Sequence, residues 1–335
     1  MSRPLRSTVL LVASLWGSGT RAPVPLSESI DDVGKGPNAN NASGAALPYD
    51  ATSINDAEYS PSGRYLAFAT EARMPPGQTV IVIDFETNRV WDARDLASDT
   101  PGHHFNSARW VGDHRLWLFE HWVAQDGEEL AWCLVDVASG RTERRRPVHW
   151  DDRDVPYFPV GRYDGTRWLV APNSGTAVYL YDPEVDGVGE PLVTAGPGES
   201  VGFWPPSAPW VPKVREGRGT PPGADVTFIN VADGRMIAVT VPLVPTSQRG
   251  ALITSDGRYV IAPAVQAQST VFPVVFNSET GETSAIAGAT WLPVALSEAR
   301  GVLLVGQPPP QDAPQGEVAD WDYFEVPLAS ILPAQ

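Results

Sequence analysis

The string whose spacing is most like that of a catalytic site is Gly198-Glu199-Ser200-Val201-Gly202, which matches the Gly-x-Ser-x-Gly pattern of nucleophilic serines. Such a serine needs a buried strand before it and a helix after it, so that its hydroxyl is exposed at a strained turn. Four prolines fall within the following residues, 203–212, and prolines at this density exclude a helix. The sequence therefore predicts a connecting loop here, and no catalytic residue is assigned.

The histidines could supply a different chemistry, namely metal binding. His103 and His104 are adjacent, and His121 is followed by three acids within residues 126–129. Imidazole and carboxylate groups together can bind zinc or a similar ion. However, no pair of histidines has helical spacing, and adjacent residues on a strand point to opposite sides. We therefore expect solvated loop histidines, and neither a metal nor a cofactor is predicted.

Aromatic and cationic side chains could bind a ligand without catalysis. Trp204 and Trp210 lie between prolines, so we expect them in an exposed loop, where an indole ring can stack on a ligand. Most other tryptophans occupy strand-like runs and are expected to pack between sheets. The basic run R-T-E-R-R-R (141–146) predicts an outer strand whose charges protect an open sheet edge.

Composition excludes several classes of protein. The 335 residues carry 24 Lys and Arg against 40 Asp and Glu, which gives a formal charge of −16. A chain this acidic repels phosphate, so nucleic acid is not expected as a partner. Cys133 is the only cysteine, which excludes an internal disulfide and a cysteine-based zinc site.

The N-terminus has the order of a secretory signal peptide. Arg3 and Arg6 precede an apolar core, Ser7–Gly17, and small residues follow it. This core is too short to span a bilayer, so residues 1–22 are predicted to be a cleaved export signal, with a disordered N-terminus as the alternative. Residues 23–50 are rich in Pro, Gly, Asn and Ser and predict a disordered tether. We therefore expect a secreted or periplasmic protein without a membrane span.

Beyond residue 50 the chain consists of short runs rich in β-branched and aromatic residues, such as T-V-I-V-I-D-F (79–85) and R-Y-V-I-A (258–262). Turn residues separate these runs, and no stretch sustains the period of a helix, so the chain is predicted to be all-β. The turns also repeat. Those that end in glycine recur every 47 residues, at Gly140, Gly187, Gly234 and Gly281.

A unit of this length with four short strands is typical of a β-propeller blade. We therefore predict a single β-propeller of six four-stranded blades in residues 51–335, with seven blades or two β-sandwich domains as the alternatives. The last unit lacks a clear fourth strand, and we expect residues near Ala46–Thr52 to supply it and close the ring. The six predicted units are residues 51–99, 100–150, 151–197, 198–245, 246–288 and 289–335.

Two of the repeats carry a recognisable motif. S-P-S-G-R-Y-L-A-F (60–68) and T-S-D-G-R-Y-V-I-A (254–262) resemble the S-P-D-G-R-x-L-A-F motif of TolB-like propeller repeats, which are related to the WD-repeat. The resemblance implies a periplasmic or secreted propeller that serves as a binding scaffold, and it implies no single activity. The chain is not expected to be TolB itself, because residues 23–50 leave no room for the extra N-terminal domain of TolB.

The predicted function is binding. We expect an exported, monomeric, non-catalytic propeller that binds a protein or a cell-envelope polymer through one loop-rich face. One alternative is an enzyme, a lyase or glycoside hydrolase that uses Asp56 and Glu58 in the central channel, although no acids at equivalent repeat positions accompany them. Another alternative is a scaffold without a ligand.

The binding face is predicted from loop lengths. Long connections without structure of their own are uncommon unless they have a function. We expect such loops between the second and third strands of four units, at residues 70–78, 122–129, 211–223 and 306–316. The residues predicted to lie on this face are Arg73, His103, His104, His121, Trp204, Trp210 and Arg215.

Overall fold

The computed structural model contains six antiparallel sheets of four strands each, arranged as the blades of a β-propeller. This confirms the predicted all-β fold and its blade number. The structure describes residues 45–49, 53–54, 56–73, 76–97, 104–124, 127–147, 157–164, 166–172, 175–182, 184–185, 187–201, 209–216, 224–241, 251–266, 270–286, 288–308 and 321–332.

The strands follow the chain from blade to blade, and in blades 1 to 5 they lie in sequence order from the innermost strand to the outermost, whereas the outermost strand of blade 6 is the N-terminal β1. Blade 1 consists of β2 (Asp56–Tyr59), β3 (Tyr65–Arg73), β4 (Pro76–Asp84) and β5 (Arg89–Asp92). Blade 2 consists of β6 (His104–Trp110), β7 (Arg115–Ala124), β8 (Gly127–Asp136) and β9 (Arg141–Pro147). Blade 3 consists of β10 (Tyr157–Arg162), β11 (Trp168–Pro172), β12 (Ala177–Asp182) and β13 (Gly187–Thr194). Blade 4 consists of β14 (Glu199–Val201), β15 (Trp210–Glu216), β16 (Ala224–Asn230) and β17 (Met236–Val241). Blade 5 consists of β18 (Leu252–Ile253), β19 (Tyr259–Gln266), β20 (Thr270–Asn277) and β21 (Thr283–Ala285). Blade 6 consists of β22 (Leu292–Ser297), β23 (Val302–Gln307), β24 (Asp322–Pro327) and β1 (Ala45–Ala46).

Strand β1 closes the ring, as the weak end of the last repeat predicted. Its Ala45 and Ala46 pair with Glu325 and Phe324 of β24, so the N-terminal part of the chain supplies the outermost strand of blade 6. These two residues lie within the range expected to be a disordered tether, so the propeller begins before residue 51. Across the same seam, the buried Tyr59 hydroxyl of blade 1 donates a hydrogen bond of 2.8 Å to Glu325.

Packing between blades is dominated by large side chains. Trp117 and Trp132 of blade 2 meet Trp168 of blade 3 edge to face, with ring centroids 5.3 and 4.9 Å apart. All three indoles are nearly inaccessible to solvent. The prediction that strand tryptophans pack between sheets is confirmed at these positions, where edge-to-face rings add to the apolar area that is buried.

The antiparallel order gives the ring two different faces. The connections between first and second strands and between third and fourth strands lie at one end of every blade, and we call this end the turn face. The connections between second and third strands lie at the other end, together with those that join one blade to the next, and we call this end the loop face. Residues 254–258 and 231–235 are examples of the turn face, and residues 195–198, which join β13 to β14, are an example of the loop face.

The turn 254–258 shows why the repeat motif has a hydroxyl residue at its start and a glycine before the arginine. The Thr254 hydroxyl accepts a hydrogen bond of 3.0 Å from the backbone N–H of Tyr259, which fixes the hairpin. Gly257 has a φ of +77°, a conformation that side chains with a Cβ rarely adopt. A Cβ added at Gly257 would lie 2.4 Å from the ring of Trp210, which belongs to blade 4. The glycine therefore serves both the turn and the contact between blades 4 and 5.

The turn 60–64 repeats this geometry at the closing seam. Gly63 has a φ of +75°, and a Cβ there would lie 2.4 Å from the side chain of Arg300 in blade 6. The Arg300 guanidinium is held in turn by Glu325, at 2.8 Å. Each of the two motif turns thus receives a large side chain from the blade before it.

Helix is nearly absent from the described part of the chain. The α-helix α1 (Ala93–Ala97) spans five residues, and Leu328–Ser330 form a 3-10 turn after β24. Among the residues that the structure describes, no helix has the length and apolar character needed to cross a bilayer.

Candidate functional site

The loop face differs from its predicted form in blades 1 and 2. The segments 70–78 and 122–129 were expected to be long loops, but β3 continues to Arg73 and β4 begins at Pro76, so two residues connect them. Strands β7 and β8 likewise extend to Ala124 and from Gly127. Both predicted loops are therefore hairpins of extended strands. Longer connections occur between β15 and β16, at residues 217–223, and between β23 and β24, at residues 308–321.

Four of the predicted site residues lie in the half of their strand that is nearer the loop face. Arg73 is the last residue of β3, and Arg215 is the last but one of β15. His104 begins β6, and its Cα partner in β7 is His121, so the two histidines are neighbours across the sheet. His103 and Trp204 lie outside the described residues.

Trp210 does not share this face. Trp210 was expected in an exposed loop, and this is wrong: it begins β15 at the turn-face end and is 2% exposed. Its indole N–H donates a hydrogen bond of 3.2 Å to the carbonyl oxygen of Ser255 in blade 5. A buried ring that joins two blades has no surface to offer a ligand.

A charged cluster surrounds Glu199, the first residue of the innermost strand of blade 4. One carboxylate oxygen accepts a hydrogen bond of 2.7 Å from Arg215. The other accepts from the backbone N–H of Gly196 at 2.8 Å and lies 2.9 Å from the Lys213 ammonium nitrogen. Glu199, Lys213 and Arg215 therefore form one ion-pair cluster at the loop-face end of blade 4.

The strand register explains why these side chains meet. Glu199 is the Cα partner of Arg215, and Val201 is the partner of Lys213, so the two cations are alternate residues on one side of β15. The hydrogen bond from Lys213, followed by that from the Gly196 backbone, lowers the pKa of Glu199 to about 2. Glu199 is consequently charged at neutral pH and holds both cations in place.

The cations of the cluster remain open to solvent. The Arg215 side chain is 60% exposed and the Lys213 side chain 28%, whereas Glu199 is 9% exposed. A guanidinium held on one side by a carboxylate can still donate through its other N–H groups, because arginine has five of them. The cluster can thus present an oriented cation at the loop-face end of blade 4.

The two channel acids have structural partners. The Asp56 carboxylate accepts hydrogen bonds from Arg109 at 2.8 Å and from Ser107 at 2.8 Å. Glu58 accepts from the backbone N–H of Trp110 at 3.2 Å. All three donors belong to β6, so these carboxylates join the first strands of blades 1 and 2.

Two further predicted features can be placed. Ser200 of the Gly-x-Ser-x-Gly string lies in strand β14 with Val214 as its Cα partner, so the expectation of a loop at this serine is wrong. The arginine-rich run forms β9, the outermost strand of blade 2, as predicted. Within the described part of the chain, no three side chains of His, Cys, Asp or Glu form a group that could hold a metal ion.

The fold is shared with many solved structures, although no family model and no curated protein matches the sequence. An oligogalacturonate lyase in complex with manganese matches with a TM-score of 0.51 and 14% identity, over 81% of this chain and 76% of that chain. TolB from Acinetobacter baumannii matches with a TM-score of 0.46 and 11% identity, over 69% and 53%. The propeller domain of Cps50 (Swd1) from Myceliophteria thermophila matches with a TM-score of 0.46 and 13% identity, over 82% and 84%. At such low identity the likeness extends to the propeller fold alone.

Proposed function

We propose that this protein is an exported β-propeller that binds another protein or a cell-envelope polymer through its loop face. The observation that carries the proposal is the Glu199 cluster. It holds Arg215 at the loop-face end of blade 4 with 60% of its side chain exposed. An oriented cation on an acidic protein favours an acidic group on a partner.

The loop face also has the more variable connections. Between second and third strands they range from residues 74–75 in blade 1 to residues 308–321 in blade 6. Binding residues are found disproportionately on loops that a rigid scaffold positions, and a ring of packed blades is such a scaffold. His104 and His121, side by side at the same face of blade 2, extend the proposed surface beyond blade 4.

The contacts of the channel acids argue for binding rather than for the alternative enzyme. A general acid or base must reach the proton that it transfers. Asp56 is instead occupied by Arg109 and Ser107 of the neighbouring blade, and Glu58 by the backbone of Trp110. A lyase or glycoside hydrolase built on these two acids would first have to break contacts that join blades 1 and 2.

Export and family membership belong to the same proposal. The basic and apolar order of residues 1–22 supports a signal peptide, and the repeat motif at 60–68 and 254–262 supports a TolB-like propeller of the periplasm or the exterior. If so, the mature protein isolated from the native host begins between residues 18 and 24. Edman sequencing of that protein measures this directly, and an intact Met1 would contradict export.

Site-specific cross-linking can test the binding face. A photo-reactive amino acid is placed at position 215 and, as a matched control, at position 235 on the turn face. Arg235 suits this purpose because its side chain is 55% exposed, close to the 60% of Arg215. In the host envelope we expect a cross-linked product from position 215 and none from position 235.

The identified partner then allows a quantitative measurement. Its binding to the purified protein should weaken in Arg215→Gln and remain unchanged in Arg235→Gln. Equal cross-linking from both positions would contradict a loop-face site. The lack of any product would favour the scaffold without a ligand.

A further inference from the structure

The outer edge of blade 3 carries an unusual set of exposed apolar side chains. Among the described residues, four large hydrophobic side chains are exposed, and three of them lie within eight positions of this one edge. Val185, in the turn before β13, is 73% exposed, and Val188 and Leu192 of β13 are 39% and 43% exposed. Single exposed apolar residues are ordinary, whereas a cluster marks an interaction surface.

The same segment is acidic. Residues 182–194 contain four acids and no Lys, Arg or His. Of these acids, Glu184 and Glu190 are exposed beside the apolar side chains. The edge of blade 3 therefore offers apolar area and negative charge together, and a complementary partner must supply apolar area and positive charge.

Two of the apolar residues, Val188 and Leu192, lie in the outermost strand of the blade beside residues that pack on the neighbouring blades. Val188 is the Cα partner of Tyr181, whose ring packs with side chains of blade 2. Leu192 precedes Val193, which is buried in the cluster shared with blade 4. Leu192 itself lies between Pro191 and Val193, where the register between β12 and β13 shifts, and its side chain is left 43% exposed at the edge of the blade.

The edge is poorly suited to accept an added strand. Pro191 has no N–H to donate, and the register between β12 and β13 is interrupted twice near Tyr179. A partner strand could not continue a regular ladder of backbone hydrogen bonds along such an edge. Contact with a partner must therefore come mainly from side chains.

The charge decides between possible occupants. A second copy of this chain would bring the same acidic strand against itself, and like charges placed together are unfavourable. An anionic lipid surface would be repelled for the same reason. We propose that the outer strand of blade 3, with Val185, Val188 and Leu192, is a docking surface for a basic amphipathic segment of a partner protein. This surface lies on the rim, apart from the loop face, so it stands independently of the function proposed above.

A defined peptide can probe this surface on the full chain. The probe is a fluorescein-labelled amphipathic helix of leucine and lysine, and its counterpart has glutamate in place of lysine. Fluorescence anisotropy should show binding of the lysine peptide and none of the glutamate peptide. The triple variant V185S/V188S/L192S should bind the lysine peptide about tenfold more weakly, a change in affinity typical of losing interfacial apolar anchors.

The chain offers a matched control for the apolar contribution. Met236, the fourth exposed hydrophobic residue, is 70% exposed at the start of the outermost strand of blade 4. Met236→Ser should therefore leave the affinity for the lysine peptide unchanged. Equal weakening by Met236→Ser, or no weakening in the triple variant, would show that the acidic protein attracts the peptide without a defined site and would overturn the proposal.

A second measurement locates the peptide and does not depend on the triple variant. Cys133 is buried, so an introduced surface cysteine can be labelled selectively in the folded protein. An environment-sensitive dye at V185C should change its emission when the lysine peptide binds, and the same dye at M236C should not. Identical responses at both positions, or none at either, would overturn the proposal.

Discussion

The two faces of the propeller lie at opposite ends of the same strands, but the turn face repeats the same contacts between blades, whereas the connections of the loop face vary in length. On the turn face, the motif turns of blades 1 and 5 make equivalent contacts with both neighbouring blades. The turn of blade 5 receives Trp210 from blade 4 and donates the N–H of Ser255 to Glu298 of blade 6, at 3.1 Å. On the loop face, the connections between second and third strands differ from blade to blade, from two residues to fourteen.

The turn of blade 1 shows that this pattern is a repeat and not an accident of one blade. It receives Arg300 from blade 6 and donates the N–H of Ser62 to Asp113 of blade 2, at 2.7 Å. A residue in such a turn has contacts to two other blades, so its type is fixed by packing. The turn face therefore stabilises the ring, and the loop face has the freedom to vary that a binding surface needs.

The largest effect is expected from breaking the ring itself. Deletion of residues 318–335 removes β24, and with it the partner of the closing strand β1 and the buried side chains of Tyr323 and Val326. Since each blade depends on its neighbours for burial, the whole domain should unfold. Circular dichroism should show no cooperative melting transition.

A shorter deletion provides the control for this experiment. Removal of residues 333–335 leaves all 24 strands intact and should melt like the full chain. A cooperative, near-native transition after deletion of 318–335 would mean that the blades are not coupled through the closing seam.

The next effect separates backbone strain from packing on the turn face. Gly257 and Gly234 have nearly the same φ, +77° and +76°, but a Cβ at Gly257 meets the Trp210 ring at 2.4 Å, whereas nothing lies within 4 Å of a Cβ at Gly234. Gly234→Ala should cost about 1 kcal/mol of unfolding free energy through φ alone. Gly257→Ala should cost about 3 kcal/mol because it also overpacks the seam.

Urea unfolding of both variants measures the difference. Equal losses would show that Trp210 moves aside freely, and the turn face would then be less tightly packed than the contacts between blades 4 and 5 indicate. Both variants must keep the slope of the wild-type transition for the comparison to be read as stability.

The regular parts of this fold could be predicted from the sequence because turn chemistry is local. Gly140, Gly234 and Gly281, which are 94 and 47 residues apart, all have positive φ, so their spacing follows from the backbone conformation of each turn, whereas Gly187, the remaining glycine of the 47-residue series, begins strand β13 without a positive φ. The closing strand could be predicted because the last repeat lacked a fourth strand. Alanines 45 and 46 carry little strand signal of their own, and they are held by their partners Glu325 and Phe324.

The prolines misled the prediction where tertiary context decides. Pro209 and Pro212 flank Trp210 and indicated an exposed loop, yet Trp210 begins a strand. Strand β14 ends at Val201, the partner of Lys213, so Pro212 lies one residue beyond this pairing and its missing N–H is tolerated. The Glu199 cluster could not be found from spacing either, because it depends on the register between β14 and β15, which local residue types do not specify.

A smaller effect, in pH, should distinguish the Glu199 cluster from the rest of the loop face. The pKa of Glu199 is lowered from 4.5 to about 2. A carboxylate with a lowered pKa stabilises the folded state above its ordinary pKa, and this contribution is lost as the pH falls from about 4.5 towards 2. Glu199→Gln should therefore melt at a lower temperature than wild type at pH 6, with the gap closing by about pH 2. A gap that is the same at both pH values would mean that the carboxylate is not the source of the difference.

The smallest effect on stability is expected from lengthening a loop-face connection. Insertion of Gly-Ser-Gly into residues 217–223 should cost less than about 0.5 kcal/mol, because the entropy of closing a loop grows only slowly with its length. The same insertion between Asp233 and Gly234 on the turn face breaks a turn in which the Gly234 N–H donates to the Asn230 carbonyl oxygen at 2.7 Å, and it should cost distinctly more. Urea unfolding measures the loss of unfolding free energy in both insertion variants, so the same inserted sequence tests the two faces. Equal costs would contradict the division into a stabilising face and a variable one, because a surface that is free to vary must tolerate three added residues where a packed turn does not.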